Sequence, residues 1–421
     1  AAALWWITLA SCVLIAAILA FASGTIIKLL APGFEPERLA LGKTMTLWLI
    51  PYTFAILMRK PYEVWALHQS HYTLPFLWDS TFNFFAIPAL LLLVSYLGPF
   101  SIPATMSFGY VSLFIVASLT TPFPYLPKSW PWRELFNVSW GFILCLGLVG
   151  AGTLYEVTDR FFASMLPIGS VASLSYALTL FHIPGAIFAP SLLLYLAKAC
   201  RSAAIDPQMA ERELKLTLAL VYAYLLPLGI GMAAVGAPLV NILLGHGAFE
   251  ESAVQTTTAC LQAYVIVLPF SVSCQVFARY AQATQHLRIV VTLSYITVGV
   301  NALLDWILAP LLGAPGIALA TSGVWAIRAV AYKRILLPEH ANYRKMAHFF
   351  LYVLFVLAWA VPLYFLSKQF EWLPLLTMPL CLIGQLFLSE KAGWLEAIHP
   401  AWRPTGLLRY MACVLGLKAK R

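Results

Sequence analysis

Residues 4–23 read LWWITLASCVLIAAILAFAS, a stretch without a single charged side chain. A helix of about 20 apolar residues is long enough to cross the roughly 30 Å hydrocarbon core of a bilayer. Similar runs recur along the chain, in which 61% of the residues are hydrophobic and only 10% are charged. In lipid a helix satisfies its backbone hydrogen bonds internally, so the sequence predicts an all-α polytopic membrane protein.

The apolar runs predict about twelve membrane-spanning helices. Their predicted limits are 4–23, 44–58, 74–98, 102–120, 135–155, 167–197, 214–237, 254–278, 287–311, 315–332, 346–367 and 372–389. Pro51 and Pro269 each lie inside one of these spans, which membrane helices tolerate where neighbouring groups satisfy the freed carbonyls. The opening AAALWWITLA lacks a Met and the basic segment of a signal peptide, so we interpret it as the continuation of a longer sequence.

Basic residues predict the orientation of the spans. The formal charge of +9 falls mainly on alternate loops and on the C-terminal tail, a bias typical of loops that face the cytoplasm. The basic residues assigned to that side include Arg59, Lys60, Lys128, Arg133, Lys198, Arg201, Arg212, Lys215, Arg279, Arg288, Lys333, Arg334, Arg344 and Lys345. The opposite side holds Lys28, Arg38, Lys43, Arg160 and Lys368. The C-terminus is therefore predicted to be cytoplasmic, and this bias explains the charge without a nucleic-acid partner.

The sequence lacks the motifs of common enzymes and metal sites. Its seven cysteines form no CxxC pair, and it contains no HExxH, Walker A or GxSxG motif. A membrane-embedded transferase would need paired acids or a histidine base in sizeable polar loops, and the loops here are short. We therefore expect neither an enzyme nor an organic cofactor.

An internal repeat divides the chain. Residues 29–38 read LLAPGFEPER and residues 243–252 read LLGHGAFEES, and each stretch leads into a span interrupted by a proline. Asn83 and Asn301 then hold matching places in the following span of each copy. Both copies enter the membrane from the same side, which predicts two parallel lobes with pseudo-symmetry. Two-lobed transporters of this kind bind substrate between the lobes and work by rocking.

Asp305 is the most informative polar residue within the predicted spans. Asn301 lies one turn before it on the same helix face. A charged carboxylate at the centre of a membrane helix costs about 2.5–3.5 kcal/mol on insertion scales, so it needs a partner. Asp159 and Thr321 are candidate companions, and a set of oxygen ligands alone suits a hard cation. The alternatives are an ion pair between Asp305 and Arg328, or a protonated, hydrogen-bonded carboxyl group.

Two further pairs of polar residues have a structural and a functional interpretation. Arg160 lies beside Glu156 near the outer interface, where the two side chains form either a local ion pair or a gate at the mouth of a transport path. Asp79 and Asn83 lie one turn apart in the third predicted span and are candidates for a polar cavity. Asn83 equally suits a hydrogen bond to neighbouring backbone.

The stretch VTDRFFASMLPIGSVASLSYALTLFHIPGAIF at 157–188 resembles the MurJ/MviN family. Members of this family are lipid II flippases of the multidrug/oligosaccharidyl-lipid/polysaccharide exporter superfamily. Further matches are LLAPGF at 29–34, LGHGAFEESAV at 244–254 and PGIALATS at 315–322. The resemblance extends over nearly the whole chain, and it is strongest from residue 150 to residue 330.

The resemblance implies a domain organisation. Family members typically have fourteen helices, and this chain begins where their third helix would. Residues 1–133 would then form a partial N-lobe of four helices, and residues 134–340 a C-lobe of six. Residues 341–389 would form the C-terminal helix pair, which in the family borders a groove for a polyprenyl tail. Residues 390–421 carry basic residues and two tryptophans, and are predicted to be a tail at the membrane surface.

The resemblance also implies two sets of site residues. The family's sodium site corresponds here to Asp159, Asn301, Asp305 and Thr321, with the carbonyl of Ile317 as a further ligand, so Na⁺ is the candidate ion. The family's substrate cavity corresponds to the set Thr179, His182, Arg160, Asp79 and Asn83. Thr179 stands where the family has an arginine and His182 where it often has an acid, which removes bidentate donors that suit a diphosphate.

The resemblance predicts a flippase of the bacterial inner membrane. It would translocate a polyprenyl-diphosphate-linked cell-wall saccharide, similar to lipid II, by alternating access that a cation gradient resets. Its predicted partners are this lipid-linked saccharide, membrane lipids and cell-wall synthesis proteins. Two alternatives remain open at this point. One is a multidrug or polysaccharide-unit exporter of the same superfamily, and the other is a non-transporting scaffold that recruits cell-wall enzymes.

Overall fold

The computed structural model describes residues 2–69, 73–121, 123, 132–247, 249–337, 343–370 and 372–391. The described part of the chain is helical and contains no β-strand. It divides into two compact units, unit 1 at Ala1–Trp140 and unit 2 at Gly141–Arg421. The division falls within one long helix, a few residues after the predicted boundary between the lobes at residues 133 and 134. The predicted tail at 390–421 lies almost entirely outside the described residues, and the four-part organisation stays a prediction.

The helices of the two units follow one another in chain order. Unit 1 contains α1 (Ala2–Leu30), α2 (Pro36–Trp48), α3 (Ile50–His68), α4 (Thr73–Leu97), a 3₁₀ turn (Gly98–Phe100) and α5 (Ser101–Thr120). Helix α6 (Trp132–Ser164) crosses from unit 1 into unit 2. Unit 2 continues with α7 (Ser170–Ile205), α8 (Pro207–Ala234), α9 (Gly236–Leu244), α10 (Glu251–Val265), α11 (Leu268–Ala283), α12 (Leu287–Leu312), α13 (Ala314–Leu336), α14 (Tyr343–Ser367) and α15 (Leu373–Lys391).

Helix α5 forms the centre of unit 1, where it packs against both α3 and α4. Gly109 allows the close approach of α4, because a Cβ at this position would lie 2.8 Å from the ring of Phe82. Helix α1 packs against α3, and the indole of Trp5 donates a hydrogen bond of 3.1 Å to the hydroxyl of Tyr62. Small residues and polar contacts of this kind hold helices together in lipid, where burial of apolar surface supplies no net drive.

Two of the predicted spans are bent at a break. Helices α2 and α3 meet at an angle of 40°, and α10 and α11 meet at 49°. Pro51 and Pro269 each occupy the second position of the helix after the break. The missing N–H of a proline costs least in the first turn of a helix, so both prolines begin a new helix instead of interrupting a continuous one. The breaks fall at matching places in the two copies of the internal repeat.

The core of unit 2 is formed by α7, α8, α10, α11 and α13, which pack against one another. Helix α8 approaches α10 closely at Gly229, where an added Cβ would overlap the backbone carbonyl of Val265. Helix α14 docks on α8 through the hydroxyl of Tyr352, which donates to the carbonyl of Ala223. These contacts give the unit a fixed helix arrangement around its interior.

The length and apolarity of the helices fit membrane spans. Five helical stretches among the described residues are long and apolar enough to cross a bilayer, and one of them, Phe82–Thr120, runs from α4 through the 3₁₀ turn into α5. The number rises to as many as seven when each bent pair is taken as one span. Each of the predicted spans falls largely on helix, but the total of about twelve is not confirmed. Helix α1 contains an 18-residue stretch with a mean hydropathy of 2.3, and only 6% of the residues in that stretch are buried. This is expected for a helix surface in contact with lipid. The chain is an all-α polytopic membrane protein.

We predict that Gly229→Ala destabilises the protein, since the new Cβ would overlap a backbone atom that cannot move unless α8 separates from α10. The expected cost is about 1–3 kcal/mol, measured as a lower melting temperature of the detergent-purified protein. Gly152→Ala in α6 is the matched control, because no other atom lies within 4 Å of the position that its new Cβ would take. Equal melting temperatures for the two variants would contradict the close approach.

Candidate cation site and adjoining cavity

Four of the predicted site residues meet inside unit 2. Asp159 lies near the end of α6, Asn301 and Asp305 lie one turn apart on α12, and Thr321 lies on α13. Helices α12 and α13 form a hairpin that turns at Gly313, whose φ of 66° favours glycine. Asp305 and Thr321 lie equally far along the chain from this glycine, so the hairpin places them at the same depth.

Hydrogen bonds join the four side chains into one cluster, which we call the oxygen cluster. The amide nitrogen of Asn301 donates to Asp159 Oδ1 at 2.7 Å and to Asp305 Oδ2 at 2.9 Å. The hydroxyl of Thr321 donates to Asp159 Oδ2 at 2.9 Å. Asn301 and Asp305 are completely buried, and Asp159 is 9% exposed. The oxygen cluster thus links α6, α12 and α13 through side chains that are almost entirely buried.

The oxygen cluster contains more acceptors than donors. The carboxyl groups of Asp159 and Asp305 accept from the same amide nitrogen of Asn301, so they lie close together. Asn301 Oδ1 and Asp305 Oδ1 are buried and have no hydrogen-bond partner among the residues that the structure describes. A buried polar atom without a partner costs about 1–3 kcal/mol, and two adjacent carboxylates add repulsion. A positive charge among these atoms, from a proton or from a metal cation, would remove both costs.

The residues of the oxygen cluster fit a hard cation. Every side-chain atom that would bind the cation is an oxygen, the ligand type that hard cations prefer. Two of these oxygens, on Asn301 and Asp305, have no hydrogen-bond partner among the described residues. Ile317, whose carbonyl is the predicted further ligand, is fully buried one turn before Thr321 on α13. Within the described ranges no group of three or more His, Cys, Asp or Glu side chains is placed to hold a metal ion together. The cation itself stays a prediction.

Arg328 does not provide the positive charge. Its guanidinium lies 5.1 Å from the centre of the Tyr155 ring, and none of the ion pairs among the described residues joins Arg328 to Asp305. The cation–π contact with Tyr155 supports the structural role that the sequence allowed for Arg328.

A cavity of about 220 Å³ lies next to the oxygen cluster. It is bounded by the end of α6, the first half of α7 and one residue of α10. Its polar lining consists of Glu156, Asp159, Arg160, Ser175, Thr179, His182 and Tyr264. Glu156, Thr179 and His182 are exposed, so the cavity opens at the surface of unit 2. Asp159 belongs both to the cavity wall and to the oxygen cluster.

The structure brings together part of the predicted substrate set. Arg160, Thr179 and His182 line the same cavity. Asn83 lies exposed on α4 in unit 1, and the side chain of Asp79 lies outside the described residues. Sequence reasoning missed Tyr264, which is 1% exposed, because a tyrosine within an apolar span is typical of any helix core.

The hydroxyl protons of Ser175 and Thr179 are already engaged. Ser175 donates to the carbonyl of Val171 and Thr179 donates to the carbonyl of Ser175, both at 2.8 Å. Each hydroxyl therefore offers only its lone pairs to a molecule in the cavity. Arg160 and Glu156 form the predicted ion pair at 3.1 Å, with both side chains more than half exposed. Exposed pairs of this kind contribute about 0–1 kcal/mol, and a gating role stays a prediction.

Comparison with known proteins supports the assignment of a family. The sequence model of the family described as "Lipid II flippase MurJ" matches residues 3–389. The probable lipid II flippase MurJ of Thermotoga maritima is 26% identical over 219 residues, which cover 52% of this chain and 45% of that protein. The chain thus matches less than half the length of the curated relatives.

Solved structures share the fold. A lipid II flippase MurJ in an inward closed conformation has a TM-score of 0.73 at 22% identity and covers 90% of this chain and 79% of its own. An inward-facing multidrug resistance MATE transporter of the MOP superfamily has a TM-score of 0.63 at 14% identity, with 78% and 77% covered. Since the family model matches nearly all of the described helices, the chain belongs to the lipid II flippase MurJ family.

Proposed function

We propose that this protein is a flippase of the bacterial inner membrane. Its substrate would be a polyprenyl-diphosphate-linked cell-wall saccharide similar to lipid II, moved from the inner to the outer leaflet by alternating access. The observation that carries this proposal is the family match over residues 3–389, which spans both units. The absence of enzyme motifs from the sequence agrees with transport in place of catalysis.

Charge asymmetry supports an orientation for unit 2. The turn at residues 165–169 reads MLPIG and contains no basic residue, and it lies at the end near the oxygen cluster. Basic residues gather at the opposite helix ends, namely Arg212, Lys215, Arg279, Arg288, Lys333 and Arg334. By the positive-inside rule, that end faces the cytoplasm and the oxygen cluster lies toward the periplasm.

We propose further that the oxygen cluster binds Na⁺. Asp159 and Asp305 would hold the ion, while Thr321 and the Asn301 oxygen complete the set. A rotation of the Asn301 amide by about 180° would turn its oxygen, in place of its N–H donors, toward the two carboxylates. The amide could then donate to the carboxylates when the site is empty and bind the cation through its oxygen when the site is occupied. A bound cation supplies the positive charge that the two carboxyl groups lack.

Binding at this position suits coupling to a gradient. The oxygen cluster ties α6 to the α12–α13 hairpin, so occupancy changes how tightly these three helices are held together. A ligand shifts a conformational equilibrium only by its difference in affinity for the two states. One elementary charge that moves through 100 mV supplies about 2.3 kcal/mol, enough for a substantial shift.

A second candidate is a multidrug or polysaccharide-unit exporter. The cavity beside the oxygen cluster favours it, because Arg160 is paired with Glu156 and Thr179 offers no free donor. A diphosphate is bound best by fixed cations with bidentate donors, which this cavity does not supply. The scaffold alternative, and cell-wall synthesis proteins as partners, have no specific observation in their favour.

Transport in proteoliposomes separates these functions. We expect the protein to translocate fluorescently labelled lipid II, and to do so faster with an inward sodium gradient than with choline in place of sodium. Asp305→Ala should remove the sodium dependence, since it removes one of the two carboxylates. Export of cationic dyes without lipid II movement would instead support the exporter, and movement of neither substrate would contradict both transport functions.

The cation site is tested by stability in purified protein. Asp305→Asn keeps the shape of the side chain but removes the repulsion between two buried carboxylates. We therefore expect this variant to melt at a higher temperature than the wild type in sodium-free buffer, and to lose the stabilisation by Na⁺. Stabilisation of the wild type should reach about 2.7 kcal/mol when the Na⁺ concentration is about 100 times its Kd.

Glu251→Gln is the control for this measurement. Glu251 is an exposed acid in the first turn of α10, outside the oxygen cluster, so the same loss of charge should leave the sodium effect unchanged. A wild-type protein that melts at one temperature in sodium, potassium and choline buffers would contradict the cation site and leave a shared proton as the explanation.

A further inference from the structure

The cavity beside the oxygen cluster has a wall residue in common with it. Asp159 lines the cavity, while Asn301 and Asp305 lie behind it with no exposed surface. An ion that enters the cavity therefore meets Asp159 first. From there, both Asn301 and Thr321 are within one hydrogen bond, at 2.7 Å and 2.9 Å from the Asp159 carboxylate.

Two hydroxyls and two carboxylates in the cavity lining offer electron pairs to a guest. The hydroxyls of Ser175 and Thr179 donate hydrogen bonds to carbonyls of α7. Toward a guest they can therefore act only through the lone pairs of their oxygens. Glu156 lies one turn before Asp159 on α6, so its carboxylate lines the same side of the cavity. Hydroxyl and carboxylate oxygens are ligands for a hard cation and repel an anion.

The charges around the cavity also favour a cation as the guest. The single guanidinium in the lining belongs to Arg160, and Glu156 binds it at 3.1 Å. This pair leaves the carboxylate of Asp159 as the unbalanced charge of the cavity wall. The family that the sequence resembles has an arginine where this chain has Thr179. An arginine there would introduce a fixed positive charge close to Asp159. Threonine adds no positive charge to that path.

We propose that this cavity is the route by which a monovalent cation reaches the oxygen cluster. Ser175 and Thr179 bind the cation first, and Asp159 passes it to Asn301 and Asp305. The residue at position 179 sets how easily the cation enters. This inference rests on the proposed cation site, and it adds the path, its first ligands and the residue that controls it. The cavity adjoins the turn at 165–169, so entry is from the less basic end of unit 2.

The test measures the rate of ²²Na⁺ binding to detergent-purified protein. Thr179→Cys, in a background without the other accessible cysteines, is labelled after folding with a reagent that adds either a positive trimethylammonium group or a negative sulfonate of similar size. The positive label should slow ²²Na⁺ binding by about tenfold or more, because a like charge at short range is weakly screened there. The negative label should slow it less.

Ser252→Cys with the positive label is the matched control. Ser252 is exposed in the first turns of α10 and does not line the cavity, so the label should leave the rate unchanged. If wild-type protein binds ²²Na⁺ and both labels at position 179 leave its rate unchanged, the route is wrong while the cation site stands. If wild-type protein binds no ²²Na⁺, the cation site is wrong and the route fails with it.

Discussion

Two aspartates that lie buried in a bundle of lipid-embedded helices dominate the physical chemistry of unit 2. A charged carboxylate in a membrane helix is costly even on insertion scales, at about 2.5–3.5 kcal/mol each. Asp159 and Asp305 share this cost within one cluster, and in the described part of the chain only one amide and one hydroxyl donate to them. Such an arrangement persists when a positive charge completes it, and that requirement connects the fold to the proposed function.

The helix arrangement serves this requirement. The glycine turn at Gly313 sets α12 and α13 at the depth where Asp305 and Thr321 face α6. Elsewhere in unit 2, the Gly229 contact and the Tyr352 hydrogen bond fix α8 against α10 and α14. Burial of apolar surface does not drive helices together in lipid, so close backbone approach and polar contacts have to do so. A bundle held in this way can keep three helices in register around a small polar site.

Much of this was accessible from the sequence, for reasons that differ between residues. The apolar runs predicted helices at every span, and the spacing of Asn301 and Asp305 placed them on one face. Their meeting with Asp159 and Thr321 depends on helix packing, which spacing alone does not specify, and there the family resemblance supplied the partners. The breaks before Pro51 and Pro269 were missed, since a proline in an apolar run is compatible with a continuous, kinked helix. The hydrogen bonds that the hydroxyls of Ser175 and Thr179 donate to backbone carbonyls were likewise not predicted, because they depend on side-chain rotamers.

Infrared difference spectroscopy measures most directly whether the two aspartates share a positive charge that sodium can supply. The purified protein is compared between choline and sodium buffers. We expect sodium to remove the carbonyl stretching band of a protonated carboxyl group, because the ion takes the place of a shared proton, and we expect Asp305→Asn to lack this change. A wild-type spectrum in which sodium leaves the carboxyl bands unaltered would contradict the shared charge.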